Sequence, residues 1–261
     1  MIDYKDKIIL ITGASSGIGK ACAFEFGILG ATIALTGRNE NKLISLKSKL
    51  TDLNINSHFF VCNLMESESS GMLVDQIEKH FKNSIDILIN SAGIAVLGDI
   101  ENIPINALRE NFELNFYAPF LLSKLVMPGM KKKKFGQIIN ISSGVGKRGL
   151  PGTSSYTATE FALNGFSECL RVELMIHNID VILISPGLVD SEFSSNIKQY
   201  GIIKNSFSDG KGLKPSEVAS FIVDASKKRK REVVLSYKTK IGTYLNFFLP
   251  SFLDRYLNKE L

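Results

Sequence analysis

A tyrosine and a glutamate stand four residues apart in the stretch SYTATEFALNGF, residues 155–166. Side chains at this spacing share one face of a helix, so Tyr156 and Glu160 are expected to point into the same site. A phenol has a pKa of about 10, and a neighbouring carboxylate raises it further. The pair therefore favours a phenol that donates a proton over a phenolate that removes one.

A glycine-rich segment, ITGASSGIGKA, follows the first apolar run of the chain. Gly13, Gly17 and Gly19 give the spacing G-x-x-x-G-x-G, in which a tight turn brings backbone close to a phosphate. The helix that follows would aim its N-terminus at the pyrophosphate of a dinucleotide. A plain glycine turn is the alternative.

The segment after the second apolar run, TGRNENKL, holds Arg38 and no acidic residue before Glu40. An acid at the end of this strand would bind the adenosine ribose hydroxyls and repel a 2′-phosphate. An arginine there binds the phosphate instead, so the segment favours NADP(H). The alternative is a solvated arginine that opens a helix.

Short β-branched runs alternate along the chain with segments of helical periodicity, such as the one with Leu43, Leu46, Leu50 and Leu53. The alternation predicts an α/β fold: one Rossmann-type, doubly wound parallel sheet with helices on both faces. Ligands bind such sheets at the carboxyl ends of the strands. The predicted strands fall at residues 7–12, 31–36, 57–62, 85–90, 136–142, 179–185 and 232–236, within one domain over residues 1–237.

Several further motifs follow in order: NSAG (90–93), ELNFYAPF (113–120), INISSGVG (139–146), SSYTATE (154–160) and SPGLVDS (185–191). With the glycine turn, they make residues 5 to about 237 resemble the short-chain dehydrogenase/reductase family in its single-domain form. The ordered set is far more specific than any one motif, because each polar residue taken alone has an ordinary structural explanation.

The resemblance implies roles for individual residues. Tyr156 would be the catalytic acid/base, Ser143 would hydrogen-bond the substrate carbonyl, and Asn115 would hold a helix bulge and a water of the proton relay. The residues expected to bind the cofactor are Gly13, Ser15, Ser16, Gly17, Ile18, Gly19, Arg38, Asn63, Leu64, Asn90, Ala92, Gly93, Tyr156, Glu160, Pro186, Gly187, Val189 and Ser191.

Three positions depart from the family pattern: Asn63 replaces an aspartate, Ser91 an asparagine, and Glu160 the motif lysine. That lysine lowers the tyrosine pKa and hydrogen-bonds the nicotinamide ribose, so its loss is expected to weaken turnover more than cofactor binding. Protonation of a buried Glu160 would remove the adverse charge. Lys147 or Arg148, just after Ser143, could instead supply a cation.

The charge and cysteine content of the chain favour some classes of protein over others. The formal net charge is +5, and two basic runs, 131–134 and 227–231, close predicted helices where lysines complement the helix dipole. A nucleic-acid or anionic-lipid patch is the alternative.

Three scattered cysteines form no metal or disulfide pattern and favour a reducing compartment. The first residues lead straight into a strand, so we expect no signal peptide and a cytoplasmic protein.

Three regions bear on substrate and partners. Residues 188–214 are expected to form a substrate lid, and helices near 104–130 and 154–177 are expected to pair subunits as a homodimer or homotetramer. The tail over residues 238–261 is so apolar that it is expected to contact another apolar surface. It could pack on its own core or on a partner subunit, close over an apolar substrate pocket, or insert shallowly at a membrane surface.

The sequence thus predicts an NADP(H)-dependent oxidoreductase that reduces a hydrophobic ketone or aldehyde, with activity weakened by Glu160. Two other classes stay open. One is a nicotinamide-nucleotide-binding pseudoenzyme that acts as a sensor or scaffold, and the other is a peripheral membrane interaction protein.

Overall fold

The computed structural model describes residues 2–201 and 212–258. Its main sheet has seven parallel strands, which confirms the predicted doubly wound α/β class. These strands are β1 (Ile8–Ile11), β2 (Thr32–Gly37), β3 (Ser57–Val61), β4 (Ile87–Asn90), β6 (Gly136–Ile141), β7 (Ile179–Ser185) and β9 (Glu232–Val234), and their order in the sheet is β3-β2-β1-β4-β6-β7-β9. Two further strands, β5 (Val96–Gly98) and β8 (Lys198–Tyr200), form a separate small sheet.

Helices cover both faces of the main sheet and create two apolar layers. The helices are α1 (Gly17–Ile28), α2 (Glu40–Asp52), α3 (Ser67–Phe81), α4 (Ile105–Phe112), α5 (Ala118–Lys133), α6 (Ser154–Met175), α7 (Pro215–Lys227), α8 (Tyr237–Phe248) and α9 (Pro250–Asn258). Within β1, Ile9 and Ile11 pack in one layer while Ile8 and Leu10 pack in the other, as the alternation of side chains along a strand requires. Burial on both faces explains why the central strands read as continuous β-branched runs.

The sheet order changes direction beside β1, which pairs with β2 on one side and with β4 on the other. The helices that follow β1 and β4 therefore diverge, and a crevice opens at the carboxyl ends of these strands. The glycine turn and residues 90–93 both follow strands at this edge. The topology alone thus brings together segments that lie far apart in the sequence.

The predicted helix near 104–130 is divided in the structure. Helix α4 leads into a π-helical turn at Glu113–Tyr117, and α5 begins immediately afterwards. Asn115 lies inside this turn, where the resemblance places a helix bulge. A π-turn inserts one extra residue and so rotates a side chain away from the position it would take in a regular helix.

The predicted lid is described only in part, because residues 202–211 lie outside the described residues. Its first part contributes β8, which pairs in parallel with β5, and Val189 forms an isolated bridge with Leu213. The sequence did not predict the small sheet, since strands of three residues carry too little periodicity to be recognised.

The tail forms two helices, α8 and α9, separated at Leu249. Leu253 of α9 is buried, and Asp254 forms an ion pair with Arg148, so α9 packs on the body of its own chain. Among the described residues, no helix is long and apolar enough to cross a membrane.

The basic run at 227–231 is largely engaged in ion pairs. Lys228 and Lys230 both contact Asp224, while Arg229 pairs with Asp180 and Arg231 lies 3.7 Å from Glu168. These contacts join the end of α7 to neighbouring elements and account for the run as part of the fold.

Candidate active site

The glycine turn places the start of α1 at the edge of the crevice. Gly13 has φ +63°, and a Cβ on it would lie 2.9 Å from the Ala92 Cα, so only glycine fits the turn at this position. A Cβ on Gly19 would lie 2.6 Å from the Gly13 carbonyl oxygen, which explains the close approach of helix and strand. Within the described part of the chain, the Ser16 side chain accepts no capping hydrogen bond from α1, and the first turn of this helix contains no acidic residue. The backbone N–H groups at this terminus are therefore open to an anion.

The end of β2 presents positive charge to the same crevice. Arg38 and Lys42 both line it, and Asn39 caps α2 by accepting a hydrogen bond from the Lys42 N–H. Lys42 also forms an ion pair with Glu192, which follows β7. This contact lowers the pKa of the exposed Glu192 carboxyl, mainly through the hydrogen bond from Lys42. The sequence had indicated Arg38 but not Lys42.

One continuous cavity of about 1830 Å³ connects the glycine turn with Tyr156 and with the tail helices. It brings together most of the residues predicted from the sequence: Gly13, Ser15, Ser16, Gly17, Ile18, Arg38, Leu64, Asn90, Ala92, Gly93, Asn115, Ser143, Tyr156, Glu160, Pro186, Gly187, Val189 and Ser191. Gly19 lies behind the turn. Asn63 does not line the cavity, because its side chain donates to Glu66 Oε1 at 2.8 Å and accepts from the Met65 N–H at 3.4 Å.

Tyr156 and Ser143 come from different elements and meet in this cavity. Tyr156 lies in the first turn of α6, and Ser143 follows β6 and caps a short 3-10 turn, Gly144–Gly146. Burial raises the pKa of the Tyr156 phenol well above its usual value, and the Glu160 carboxyl raises it further, while hydrogen bonding with Ser143 lowers it. The phenol is therefore protonated at neutral pH, and a proton donor faces the cavity.

Asn115 connects the π-turn to the loop after β4 and to α6. Its side chain accepts from the Ile94 N–H at 3.0 Å and donates to the Ile94 carbonyl at 2.9 Å. The same amide lies 3.3 Å from Thr159 Oγ1 and 3.4 Å from Glu160 Oε1. Asn115 thus fixes the position of three segments that border the site.

Glu160 is only 3% exposed. Burial raises the pKa of its carboxyl from 4.5 to about 8, although the nearby Ser142 hydroxyl and the Asn115 amide act in the opposite direction. Within the described residues, neither Glu160 Oε2 nor Ser142 Oγ reaches hydrogen-bond geometry with a partner. At neutral pH the carboxyl is therefore mostly protonated, so the adverse charge expected from the sequence is largely removed and no cation replaces it.

The two cations that could have replaced the motif lysine are engaged elsewhere. Lys147 Nζ lies 2.5 Å from Glu232 Oε1, and Arg148 pairs with Asp254 of α9. Both side chains point to structural partners that the sequence order does not reveal. In this structure neither supplies positive charge to Tyr156.

These residues fit a nicotinamide dinucleotide. The open N-terminus of α1 suits a pyrophosphate, Arg38 and Lys42 suit the adenosine ribose or its phosphate, and the stretch 186–191 lies at the inner wall. Asn90 donates to Asn140 Oδ1 at 2.8 Å, but among the described residues its own Oδ1 has no hydrogen-bond partner. Among the same residues, no cluster of three or more His, Cys, Asp or Glu could hold a metal.

The fold and the site together define a nucleotide-binding protein of the Rossmann type, and the comparisons identify the family. The short chain dehydrogenase family profile matches residues 7–200. The chain is 32% identical to dehydrogenase/reductase SDR family member 7B of Xenopus tropicalis over 259 residues, which is 95% of this chain and 83% of that protein. The chain therefore belongs to the short-chain dehydrogenase family, whose members are generally oxidoreductases.

Solved structures show the same architecture. A short-chain dehydrogenase/reductase from Burkholderia phymatum, in complex with NAD, has a TM-score of 0.87 at 20% identity and covers 95% of both chains, which shows the fold alone. A metagenomic short-chain oxidoreductase, in complex with NADP, has a TM-score of 0.76 at 26% identity, covering 90% of this chain and 98% of the other.

The structure adds residues to the site that the sequence did not indicate. Phe193 lies with its ring centroid 6.1 Å from that of Tyr156, and Thr239 and Leu253 bring the tail helices into the cavity wall. The apolar composition of the tail indicated a role for the segment that contains Thr239 and Leu253, because a cover over the substrate pocket was one of the alternatives for it. Phe193 had no signal beyond its place in the expected lid.

Proposed function

We propose that the protein is an NADP(H)-dependent oxidoreductase that reduces a hydrophobic ketone or aldehyde to the alcohol. The observation that carries the proposal is the Tyr156 phenol, held in its protonated form mainly by burial and placed beside Ser143 in the cavity. Reduction requires a proton donor at this point, whereas oxidation requires the phenolate.

In this reaction, a nicotinamide cofactor held at the glycine turn and by Arg38 would supply the hydride to the carbonyl carbon. Ser143 Oγ donates a hydrogen bond to the carbonyl oxygen and orients it toward Tyr156. The Tyr156 hydroxyl then gives its proton to that oxygen, which yields the alcohol and leaves a phenolate that recovers its proton from solvent. Asn115 acts as a positioning residue, since it contacts Glu160 and the loop at Ile94.

The activity is weak relative to a site with the motif lysine. The phenolate that forms during turnover has no cation beside it, because Lys147 and Arg148 are paired elsewhere. A protonated Glu160 can hydrogen-bond a ribose hydroxyl but does not stabilise negative charge as an ammonium does. Cofactor binding is therefore less affected than turnover.

The preference for NADP(H) rests on the charge at the end of β2. Arg38 and Lys42 line the cavity there, and Asn39 next to Arg38 is neutral. Glu40, the acidic residue in the first turn of α2, does not line the cavity. The metagenomic oxidoreductase in complex with NADP, at 26% identity, supports the same choice. A 2′-phosphate would compete with Glu192 for Lys42.

The hydrophobic substrate is inferred from apolar side chains in the cavity wall. Leu150, Phe193, Leu253 and Leu257 line the cavity there. Such a wall favours long apolar carbonyl compounds over small polar ones, because each buried methylene contributes about 0.8 kcal/mol.

We also propose a homodimer or homotetramer in the cytoplasm. The outer face of α5 and α6 exposes Phe120, Leu125, Phe161 and Val172. Neighbouring exposed apolar side chains of this kind are typical of a subunit interface.

A carbonyl-reductase panel with NADPH and with NADH tests the function. We expect turnover of apolar ketones with NADPH, loss of that turnover in Tyr156→Phe, and nearly unchanged NADPH affinity in that variant. Tyr200→Phe is the matched control, because Tyr200 does not line the cavity. NADPH binding without turnover of any carbonyl compound would contradict the proposal and support the pseudoenzyme instead.

A further inference from the structure

Helix α8 carries an exposed apolar stripe along its outer side. Tyr237, Ile241, Tyr244 and Phe248 are spaced i, i+4, i+7 and i+11, which places them on one face at about 100° of rotation per residue. The exposed fractions of Tyr237, Tyr244 and Phe248 are 76%, 69% and 70%, and the neighbouring Phe247 is 79% exposed. We refer to these five residues as the tail stripe.

The tail stripe points away from the cavity. Lys238, Thr239 and Gly242, which line the cavity, lie at about 100°, 200° and 140° from Tyr237 around the helix. Helix α8 thus separates the interior of the site from the stripe. Leu249 and Phe252, both exposed, extend the apolar surface toward α9.

Basic side chains border the tail stripe. Lys238 lies about 100° from Tyr237 on one side, and Lys240 about 60° on the other, and both are exposed. Arg255 of α9 is also exposed, while the acidic residue in the two helices, Asp254, is paired with Arg148. The described part of the tail is therefore positively charged around an aromatic centre.

This arrangement favours a lipid surface over a second copy of the chain. Tyrosine and phenylalanine on one face with lysines at its borders are characteristic of helices that lie in the plane of an anionic membrane. Subunit pairing already has a separate candidate surface on α5 and α6, with Phe120 and Phe161 exposed there.

We propose that the tail stripe inserts shallowly into the surface of an anionic lipid bilayer, with Lys240 at the level of the headgroups and Lys238 on the side of α8 that faces the cavity. Docking in this orientation holds α8, and the cavity wall that it forms, against the bilayer. If the proposed function holds, docking would bring the cavity close to apolar carbonyl substrates dissolved in the lipid. Docking itself does not depend on that function.

Sedimentation with lipid vesicles tests the docking. We expect the full chain to bind vesicles that contain phosphatidylserine more tightly than vesicles of phosphatidylcholine alone, with the difference reduced by salt. Replacing both Phe247 and Phe248 with serine should weaken vesicle binding by about tenfold or more. Lys240→Gln should weaken only the binding to the phosphatidylserine vesicles, by about fivefold.

Phe221→Ser is the matched control, because Phe221 is exposed on α7, outside the tail. Reduction of a water-soluble ketone by the Phe247/Phe248 variant checks that it is folded and active, since neither residue lines the cavity. Equal vesicle binding by the wild type and this variant would overturn the proposal. So would a smaller assembly of the variant in sedimentation velocity without lipid, because the stripe would then be a subunit interface.

Discussion

The side-chain amide of Asn115 lies 3.4 Å from Glu160 Oε1, and this contact joins the π-turn to helix α6 beside the catalytic phenol. A lysine at position 160 would present a cation to Tyr156 from the same helix face. The glutamate presents a buried carboxyl whose pKa is raised to about 8. The site therefore holds two protonated acids near each other at neutral pH and no cation between them.

The first prediction concerns Glu160→Lys. We expect a gain in activity of between about 10-fold and about 1,000-fold, because the ammonium stabilises the phenolate and holds the ribose hydroxyls. The gain should be larger for alcohol oxidation than for carbonyl reduction at neutral pH, since only oxidation starts from the phenolate. Rates measured in both directions with NADPH and NADP provide the comparison.

Glu160→Gln separates charge removal from the supply of a cation. At neutral pH its rates should stay close to those of the wild type, because the Glu160 carboxyl is already mostly protonated, and above about pH 8 its oxidation rate should fall between those of the wild type and the lysine variant. Oxidation by the wild type should also keep rising above about pH 9, whereas the lysine variant should level off earlier. A lysine variant that binds NADPH and gains no turnover would show that the site has diverged elsewhere.

The second prediction concerns stability against pH. The folded state raises the pKa of Glu160 from 4.5 to about 8, so it binds a proton that the unfolded chain has already released. The stabilisation is present below the unfolded pKa and is lost as the pH rises toward 8. Between about pH 6 and about pH 8.5 the wild type should lose about 2 to 3 kcal/mol of unfolding free energy relative to Glu160→Gln. Urea unfolding of both proteins measures the difference, and parallel curves would argue against the shift.

Cofactor preference is the third prediction. Arg38→Asp should weaken NADPH binding and shift the preference toward NADH, because the carboxylate repels a 2′-phosphate and accepts hydrogen bonds from ribose hydroxyls. Loss of one charge-assisted contact corresponds to about a tenfold to hundredfold change in Kd. Calorimetry with both cofactors checks this, with Arg109→Asp as a control outside the cavity. Tighter binding of NADH than of NADPH by the wild type would refute the prediction.

The fourth prediction concerns assembly. We expect a homodimer or homotetramer at micromolar concentration, and Phe161→Arg should shift it toward the monomer because a charge is placed among exposed apolar side chains of α6. Phe221→Arg, at a similarly exposed phenylalanine of α7, should leave assembly unchanged. Sedimentation velocity distinguishes these results, and a monomeric wild type would count against the interface.

Much of the fold could be predicted because its signals are local. The alternation of β-branched runs with helical periodicity located all seven strands of the main sheet, and the glycine turn fell where α1 begins. The family resemblance also placed Asn115 in a bulge, which the structure shows as a π-turn. These features depend on residues within a few positions of one another.

The features that escaped prediction depend on distant partners. Arg148 and Asp254 are 106 positions apart, so no local pattern indicates their ion pair. From the sequence, a protonated Glu160 was only one of two alternatives, because protonation depends on burial by segments distant in sequence. Gly146 is one of them, and a Cβ added to it would lie 3.2 Å from the Glu160 Cβ. Asn63 is expected at the adenine, and nothing in the sequence indicates that its side chain donates a hydrogen bond to Glu66.

The ion pair between Arg148 and Asp254 also has a consequence for protein engineering. The residues expected to bind the cofactor lie before position 200, whereas part of the cavity wall comes from α8 and α9 at the other end of the chain. Exchanging these two helices for those of a relative would alter substrate range while retaining the dinucleotide-binding half. An exchanged segment should keep an acid opposite Arg148, because this ion pair joins α9 to the loop after Ser143.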